Sequence, residues 1–476
     1  MDGNQIQTPS DFLERLEAIV GKSGLLTEAA DTEPYLIDQR RAYRGATVAV
    51  VRPASTEEVS KVVALCAETG TPIVPQGGNT GLCGGATPDD SGNSVLLSLS
   101  RMNKVRGIDP LNYTITVDAG VILADIQQAA DEADRLFPLS LGAEGSCRIG
   151  GNLSTNAGGT GVLRYGTTRE LVLGLEFVLP DGRIWDGMTA LRKDNTGYDL
   201  KHLFMGAEGT LGIITGAVLK LFPKPKDVQT AFVAIRDCEA AIELLARART
   251  ASDDRVTAFE WIARRGLDFV LKHIPDTRDP LETEYAEYLL IELTSGHADG
   301  GLRDTLENIL GEAMEDGLVL DAVLAESEGQ SRDFWRLRET IPEAQMVEGA
   351  SIKHDISVPV SSVPEFLNKA GAAIEAEVPG IRVCAFGHVG DGNVHYNVTV
   401  PVDMEADAFF GQLEAINRTV HDEAVALNGS ISAEHGIGMS KRLELAHYKN
   451  SEALDVMRTL KAALDPQGIM NPGKVL

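Results

Sequence analysis

An α+β protein of at least two domains is predicted by three features of the sequence. Strand and helix signals alternate through the first half, a Pro223-Lys-Pro225-Lys-Asp227 break follows, and beyond it strands and helices recur with spacing suited to antiparallel pairing. A chain of 476 residues also exceeds what one ordinary core organises.

In chain order, Ser55-Thr-Glu-Glu58 forms a capping box ahead of an apolar stripe of Val59, Val62, Val63 and Cys66 that ends at Gly70. Short strands are predicted at 73–74, 95–99 and 113–117, the last alternating with period two, and a helix at 123–134. The runs 171–179 and 183–185 flank Pro180-Asp181-Gly182 as a hairpin, and 210–222 is extended. Past the break come strands at 231–235, 288–294 and 318–325, helices at 238–249 and 302–316, and an extended run at 351–360. The last 45 residues read as helical apart from a glycine loop at 436–438 and the tail 465–474.

The formal net charge of −27 excludes nucleic acid and anionic membrane surfaces as electrostatic partners. No run reaches the roughly 18 apolar residues of a membrane span. The amino-terminal Met1-Asp-Gly-Asn-Gln lacks the basic start and apolar core of a signal peptide. Five scattered cysteines with no Cys-x-x-Cys suit a reducing, cytoplasmic setting without a disulfide framework.

Two glycine-rich stretches, 77–85 and 145–159, offer small residues and free backbone N–H groups, which is what a pyrophosphate needs. Single glycine loops are most often only turns; two within one half of the chain carry more weight. The Gly-x-Gly-x-x-Gly signature of nicotinamide-binding folds is absent. Gly468 to Lys474 imitates the start of a phosphate-binding P-loop, but Val475 replaces the required Ser or Thr.

The most informative stretch is His388-Val-Gly-Asp-Gly-Asn-Val-His395-Tyr-Asn397. Asp391-Gly392 reads as a two-residue hairpin turn, which sets His388 directly opposite His395 and places Asn397 on the face of His395. That spacing alone leaves open a shared metal ion or two ordinary hydrogen-bonded histidines. Ser432-Ala-Glu434-His435-Gly-Ile-Gly438 adds a carboxylate and a third imidazole. Two histidines with Glu434 make an open three-ligand site of the zinc or late first-row kind, and His435 then stands where a general base belongs.

The ordered set Val51-Arg-Pro53, Gln76-Gly-Gly-Asn-Thr-Gly81, Gly150-Gly-Asn152, Asn156-Ala-Gly158, the paired histidines, Glu434-His435 and Asn471-Pro-Gly-Lys474 resembles the FAD-linked oxidase family of the vanillyl-alcohol oxidase type. The likeness runs from about Tyr35 to Leu476 and is greatest to the D-2-hydroxyglutarate and D-lactate dehydrogenase branch. The resemblance implies a two-subdomain FAD-binding domain at 1–223, an α+β substrate cap with an antiparallel sheet at 224–430, and a helical segment at 431–476 returning to the FAD domain. It implies flavin contacts at Pro75, Gln76, Gly77, Gly78, Asn79, Thr80, Gly81, Gly145, Ser146, Gly150, Gly151, Asn152, Asn156, Gly158, Ile214 and Asn471. Gln76 stands near the loop where covalently flavinylated relatives can carry histidine, which favours dissociable FAD.

In this branch the positions of His388, His395 and Glu434 bind Zn²⁺ or a similar divalent ion, and that of His435 is the base. The implied reaction is oxidation of a D-2-hydroxy acid: the metal lowers the hydroxyl pKa, His435 takes the proton, and hydride passes to the flavin. Arg338 and Lys353 match positions for anion recognition, although a lone Arg or Lys in such stretches is usually a solvated ion pair. Asn397 would orient the substrate carboxylate. One departure is Pro342, four residues after Arg338, where D-2-hydroxyglutarate dehydrogenases carry a threonine; D-lactate or another 2-hydroxy acid gains weight accordingly. Electrons would pass to an electron-transfer flavoprotein or a quinone, and a homodimer is the family's usual state. The alternatives are a flavin transferase of the alkyl-glycerone-phosphate synthase kind, which performs no net oxidation, and a non-catalytic FAD subunit, which would lose the metal residues.

Overall fold

The computed structural model describes residues 11–476; the amino-terminal stretch read above for a signal sequence lies outside them. The chain divides into two compact units. Among the described residues the first comprises 11–157, 167–223 and 434–476, and the second comprises 158–166 and 224–433.

The first unit holds a four-stranded sheet in the order Leu25–Leu26, Ala49–Val51, Val95–Ser98, Ile73–Gln76, with the last three strands parallel. Parallel strands need covering crossovers, and the helix Thr56–Thr69 supplies one. It starts as its sequence requires: Ser55 Oγ accepts the Glu58 N–H at 3.2 Å, while Glu58 Oε2 accepts the Ala54 N–H at 2.7 Å, one residue before the usual reciprocal partner. Gly70 then closes the helix at φ 66°. A second sheet is antiparallel, in the order Val105–Asp109, Thr114–Asp118, Ile213–Lys220, Val172–Val178, Ile184–Gly187. Its last two strands are the expected hairpin, with Val178 opposite Ile184. The carboxy-terminal tail returns to the parallel sheet, where the Ile73 N–H donates to Ile469 O and the Asn471 N–H donates to Ile73 O, each at 2.8 Å.

The second unit is built on an antiparallel sheet of eight strands, in the order Val319–Leu324, Asp227–Ile235, Glu287–Ser295, Val256–Ala263, Arg382–Gly387, Asn393–Thr399, Ser351–Ile352, with Asp355–Ser357 also on the Asn393–Thr399 strand. Period-two alternation divides its side chains between two cores. Phe259, Trp261, Leu289, Ile291 and Tyr396 pack one face with the helices Cys238–Ala251, Leu302–Glu315 and Val363–Glu377. Phe232, Ile262, Tyr288, Leu290 and Phe386 pack the other with the helices Arg264–His273, Glu328–Glu339 and Ile341–Glu348.

Three local expectations are corrected. The run 351–360 is two short strands rather than one, Ser351–Ile352 and Asp355–Ser357. Residues 432–441, expected to be helical outside the glycine loop, form no helix; the stretch begins on the strand edge, where Ala433 N–H donates to Asp355 O at 3.1 Å. The histidine hairpin has no two-residue turn. Its strands end at Gly387 and begin again at Asn393, leaving a five-residue connection at 388–392, and Phe386, not His388, faces His395. Gly387 adopts φ 155° so close to the Asn393 carbonyl that a Cβ would lie 2.7 Å from its oxygen; the strand therefore leaves the ladder there.

Around the helix-covered face, Glu348 gathers Arg382 Nη1 at 2.6 Å, His273 Nε2 at 2.6 Å and Lys272 Nζ at 2.9 Å. Burial alone would raise this carboxyl, but the three donors outweigh it and hold it at about 2. A depressed carboxyl pKa stabilises the fold above its unfolded value and loses that stability as the pH falls toward the folded value. Glu348→Gln should therefore cost about 1–3 kcal/mol at neutral pH, and the difference from wild type should shrink as the pH falls from roughly 4.5 to about 2. Denaturant titrations of both proteins across that range check this; a difference independent of pH would contradict it.

Candidate active site

In the second unit the polar residues fall on one face of the sheet. Glu260 lies opposite Leu290, Phe386 opposite His395, Cys384 opposite Asn397, Ser351 opposite Thr399, and Asp355 opposite His395. The two flanking pairs set Lys353 across from Asn397. Period two thus lines up Glu260, His395, Asn397, Asp355 and Lys353 under the helices that carry Arg338 and Gln345.

Glu260 organises this row. Its Oε2 accepts Arg338 Nε at 2.8 Å and its Oε1 meets His388 Nδ1 at 2.6 Å. All three are buried, Glu260 at 1% exposure, Arg338 at 6% and His388 at 7%. Burial would raise the Glu260 carboxyl, but the charges of His388 and Arg338 and the bonds from both hold it at about 2. An ionised carboxylate can only accept, so His388 presents an Nδ1–H to it. Metal-binding histidines are commonly oriented by such a carboxylate. The Arg338 guanidinium also stacks over Phe386, 4.7 Å from the ring centroid. The solvated ion pair usual for such an arginine is thus overturned: Arg338 sits in a buried one.

The two histidines meet despite the longer loop, with ring centroids 5.5 Å apart at 77°. His395 Nδ1 lies 3.8 Å from Asp355 Oδ1, and Asp355 Oδ1 also accepts Asn393 Nδ2 at 3.1 Å. Ligand atoms of Asp355 and His395 come within 4.8 Å of each other, as do those of Glu434 and His435 in the first unit. Imidazole nitrogens with carboxylate oxygens are a donor set that fits zinc or a late first-row ion. Asn397 is oriented by donating Nδ2 to Gln345 Oε1 at 3.0 Å. His354 is also buried, with Nδ1 2.7 Å from Tyr396 O and Nε2 3.0 Å from Asn417 Oδ1.

The first unit holds the glycine loops. Gly77 and Gly78 follow the strand Ile73–Gln76 and press on the second loop: a Cβ on Gly78 would lie 2.2 Å from Ser146 O, and one on Gly77 3.4 Å from Gly151 N. Open space lies over Gly81, Gly145 and Gly151 where a Cβ would stand. Gly150 N–H donates to Ala119 O at 2.7 Å, and Asn79 and Asn156 take positive φ of 56° and 51°. Thr80 continues the first loop, and Ile214 begins a register shift in its strand. The buried acceptors Asn152 Oδ1 and Asn471 Oδ1 have no partner. A cradle of open glycine positions with two orphaned acceptors fits a dinucleotide cofactor. Gln76 differs in role. Its amide is buried and donates to Tyr35 O at 2.9 Å and Ala86 O at 3.0 Å, so this side chain ties the loop down. Pro75 likewise packs: a Cβ on Gly209 would meet its Cγ at 2.4 Å. Gly158 groups with the second unit.

Three carboxylates escaped the reading of the sequence. Glu260 and Asp355 are single acids within apolar strands, and Glu208 lies among glycines. Their roles depend on partners distant in the chain, such as His388, 128 residues from Glu260.

Two family profiles match: a FAD binding domain over residues 47–187 and the C-terminal domain of FAD linked oxidases over residues 224–475. The chain belongs to the FAD-linked oxidase family. Within it, it falls in the D-2-hydroxyglutarate and D-lactate dehydrogenase branch. It is 39% identical to a probable mitochondrial D-2-hydroxyglutarate dehydrogenase of Oryza sativa subsp. indica, covering 98% of this chain and 82% of that one. Identity is 38% to the mitochondrial D-2-hydroxyglutarate dehydrogenase of Bos taurus, over 98% and 83% of the two chains. A putative mitochondrial D-lactate dehydrogenase of Schizosaccharomyces pombe is 36% identical, over 96% and 88%. The fold is shared with an alkyldihydroxyacetonephosphate synthase (TM-score 0.76, 18% identity, 98% of this chain and 85% of that one) and with p-cresol methylhydroxylase (0.76, 18%, 98% and 96%). The names of those three relatives place them in mitochondria, which the cytoplasmic expectation did not include; no helix among the described residues is long and apolar enough to cross a membrane.

Gly78→Ala tests the cradle. Its Cβ would force the first loop off the second, so FAD retention should fall at least about tenfold, or about 1.4 kcal/mol. The flavin-to-protein absorbance ratio after desalting measures this; a variant that keeps FAD as wild type does would contradict it.

Proposed function

We propose that this protein oxidises a D-2-hydroxy acid to the 2-oxo acid with FAD and one divalent metal ion, zinc or a similar one, and passes the electrons to a non-nicotinamide acceptor such as an electron-transfer flavoprotein or a quinone. The observation that carries the reading is the buried Glu260–His388 pair, which fixes the direction of an imidazole at one end of a row of polar side chains. The names of the relatives supply the substrate class and its hand.

His388, His395 and Glu434 would hold the ion, and the 76–81 and 145–152 loops with Asn152 and Asn471 would hold the flavin. Bound FAD supplies a two-electron acceptor, and the ion supplies Lewis acidity at the substrate hydroxyl. His435 accepts the hydroxyl proton, so that loss of this proton and of the α-hydride together leave the 2-oxo acid. Asn397, oriented through Gln345, and the cations Arg338 and Lys353 hold carboxylate. Glu260 uses Arg338 Nε only, so the remaining guanidinium donors can serve an anion. Pro342 offers no hydroxyl, so a distal carboxylate would rest on the two cations alone.

Anaerobic mixing with D- and L-2-hydroxy acids, monitored by flavin absorbance before and after chelation and metal return, tests the reading. Bleaching by a D-acid that chelation abolishes and metal restores is expected, with D-2-hydroxyglutarate and D-lactate ranking the pocket. His435→Ala should slow the reaction about 10²–10⁴-fold. No bleaching of metal- and FAD-loaded protein, or a His435→Ala variant at wild-type rate, would overturn it.

A further inference from the structure

We infer that Glu208 is the positioning residue of the His435 loop, an inference that rests on the reading of His435 as the base. All the contacts lie within the first unit. Glu208 Oε1 accepts the Ile437 N–H and its Oε2 accepts the Gly438 N–H, both at 2.7 Å. One carboxylate therefore clamps the two amides immediately following His435-Gly436 in a bidentate grip, the strong form of hydrogen bond.

The position of Glu208 is enforced. It adopts φ 51°, a left-handed conformation uncommon for a side-chain-bearing residue, which costs about 1–2 kcal/mol. Its own N–H donates to Ser154 O at 2.8 Å and its carbonyl accepts Asn471 Nδ2 at 2.8 Å. Ser154 and Asn471 tie it to the stretches predicted to hold flavin. Backbone strain retained under such constraint marks a residue whose direction matters. The loop is fitted closely to it: a Cβ on Gly436 would lie 2.8 Å from Glu208 Oε1, and one on Gly438 2.1 Å from Cys83 O. Cys83 O also accepts the Met439 N–H at 2.8 Å, and Gly438 O accepts the Val475 N–H at 3.0 Å. Glu208 thus joins the base's loop, held by its side chain, to the cofactor stretches, held by its backbone, alongside the Cys83 contact; a base displaced by about 1 Å loses on the order of 10²-fold in rate.

The test uses FAD- and metal-loaded Glu208→Gln, which keeps the size but sets an NH₂ against one amide donor, with Glu208→Ala as the larger change. Hydrogen exchange of peptides spanning 434–440 should accelerate in both variants, with other peptides of the first unit unchanged. For Glu208→Gln, kcat should fall about 10–100-fold with KM within about threefold, and adding it to His435→Ala should cause no further loss. Unchanged exchange at 434–440, a rise in KM alone, or full additivity with His435→Ala would overturn the inference. If wild type oxidises no 2-hydroxy acid, the functional reading fails, and the exchange result alone decides whether Glu208 holds the loop.

Discussion

The second unit is arranged around a buried negative charge. Glu260 is removed from water on a central strand, and an isolated carboxylate there would cost several kcal/mol. Arg338 and His388 remove that cost together, each reaching one oxygen. The consequence is directional. Because the carboxylate is ionised, the imidazole must present Nδ1–H to it and turn Nε2 away, and because Nε of Arg338 is committed, its remaining donors are set in one plane. Glu260, which contacts no substrate in this account, orients one residue proposed to hold the ion and one proposed to hold the substrate.

Sheet register transmits that order. A one-residue slip of Asn393–Thr399 would send His395 and Asn397 to the opposite, apolar face. Pairing on both sides, with Arg382–Gly387 and with the two short strands at 351–357, prevents the slip. The first unit solves a different problem: its glycine loops press backbone against backbone and leave Asn152 and Asn471 with buried acceptors to satisfy.

Much of this was legible in the sequence. Capping at Ser55, the turn at 180–182 and the break at 223–227 are local signals with local causes, and the elements follow them. The paired histidines were legible through a mistaken register. They meet because His388 lies two residues past Phe386, the partner of His395, and not because a two-residue turn sets them opposite. Glu260, Asp355 and Glu208 were not legible, because nothing near each in the chain marks it. The burial of Arg338 was hidden for the same reason: a basic residue in a charge-rich helix looks solvated until the strand carrying Glu260, 78 residues earlier, is placed beneath it.

The central claim is that Glu260 makes His388 a metal ligand. Metal titration of chelated wild type and Glu260→Gln, each loaded with FAD, tests it directly. Wild type should bind one divalent ion per chain, and Glu260→Gln should bind it about 10–100-fold more weakly while retaining the wild-type far-ultraviolet circular dichroism. Equal affinities in the two proteins, or no stoichiometric binding by wild type, would contradict the account.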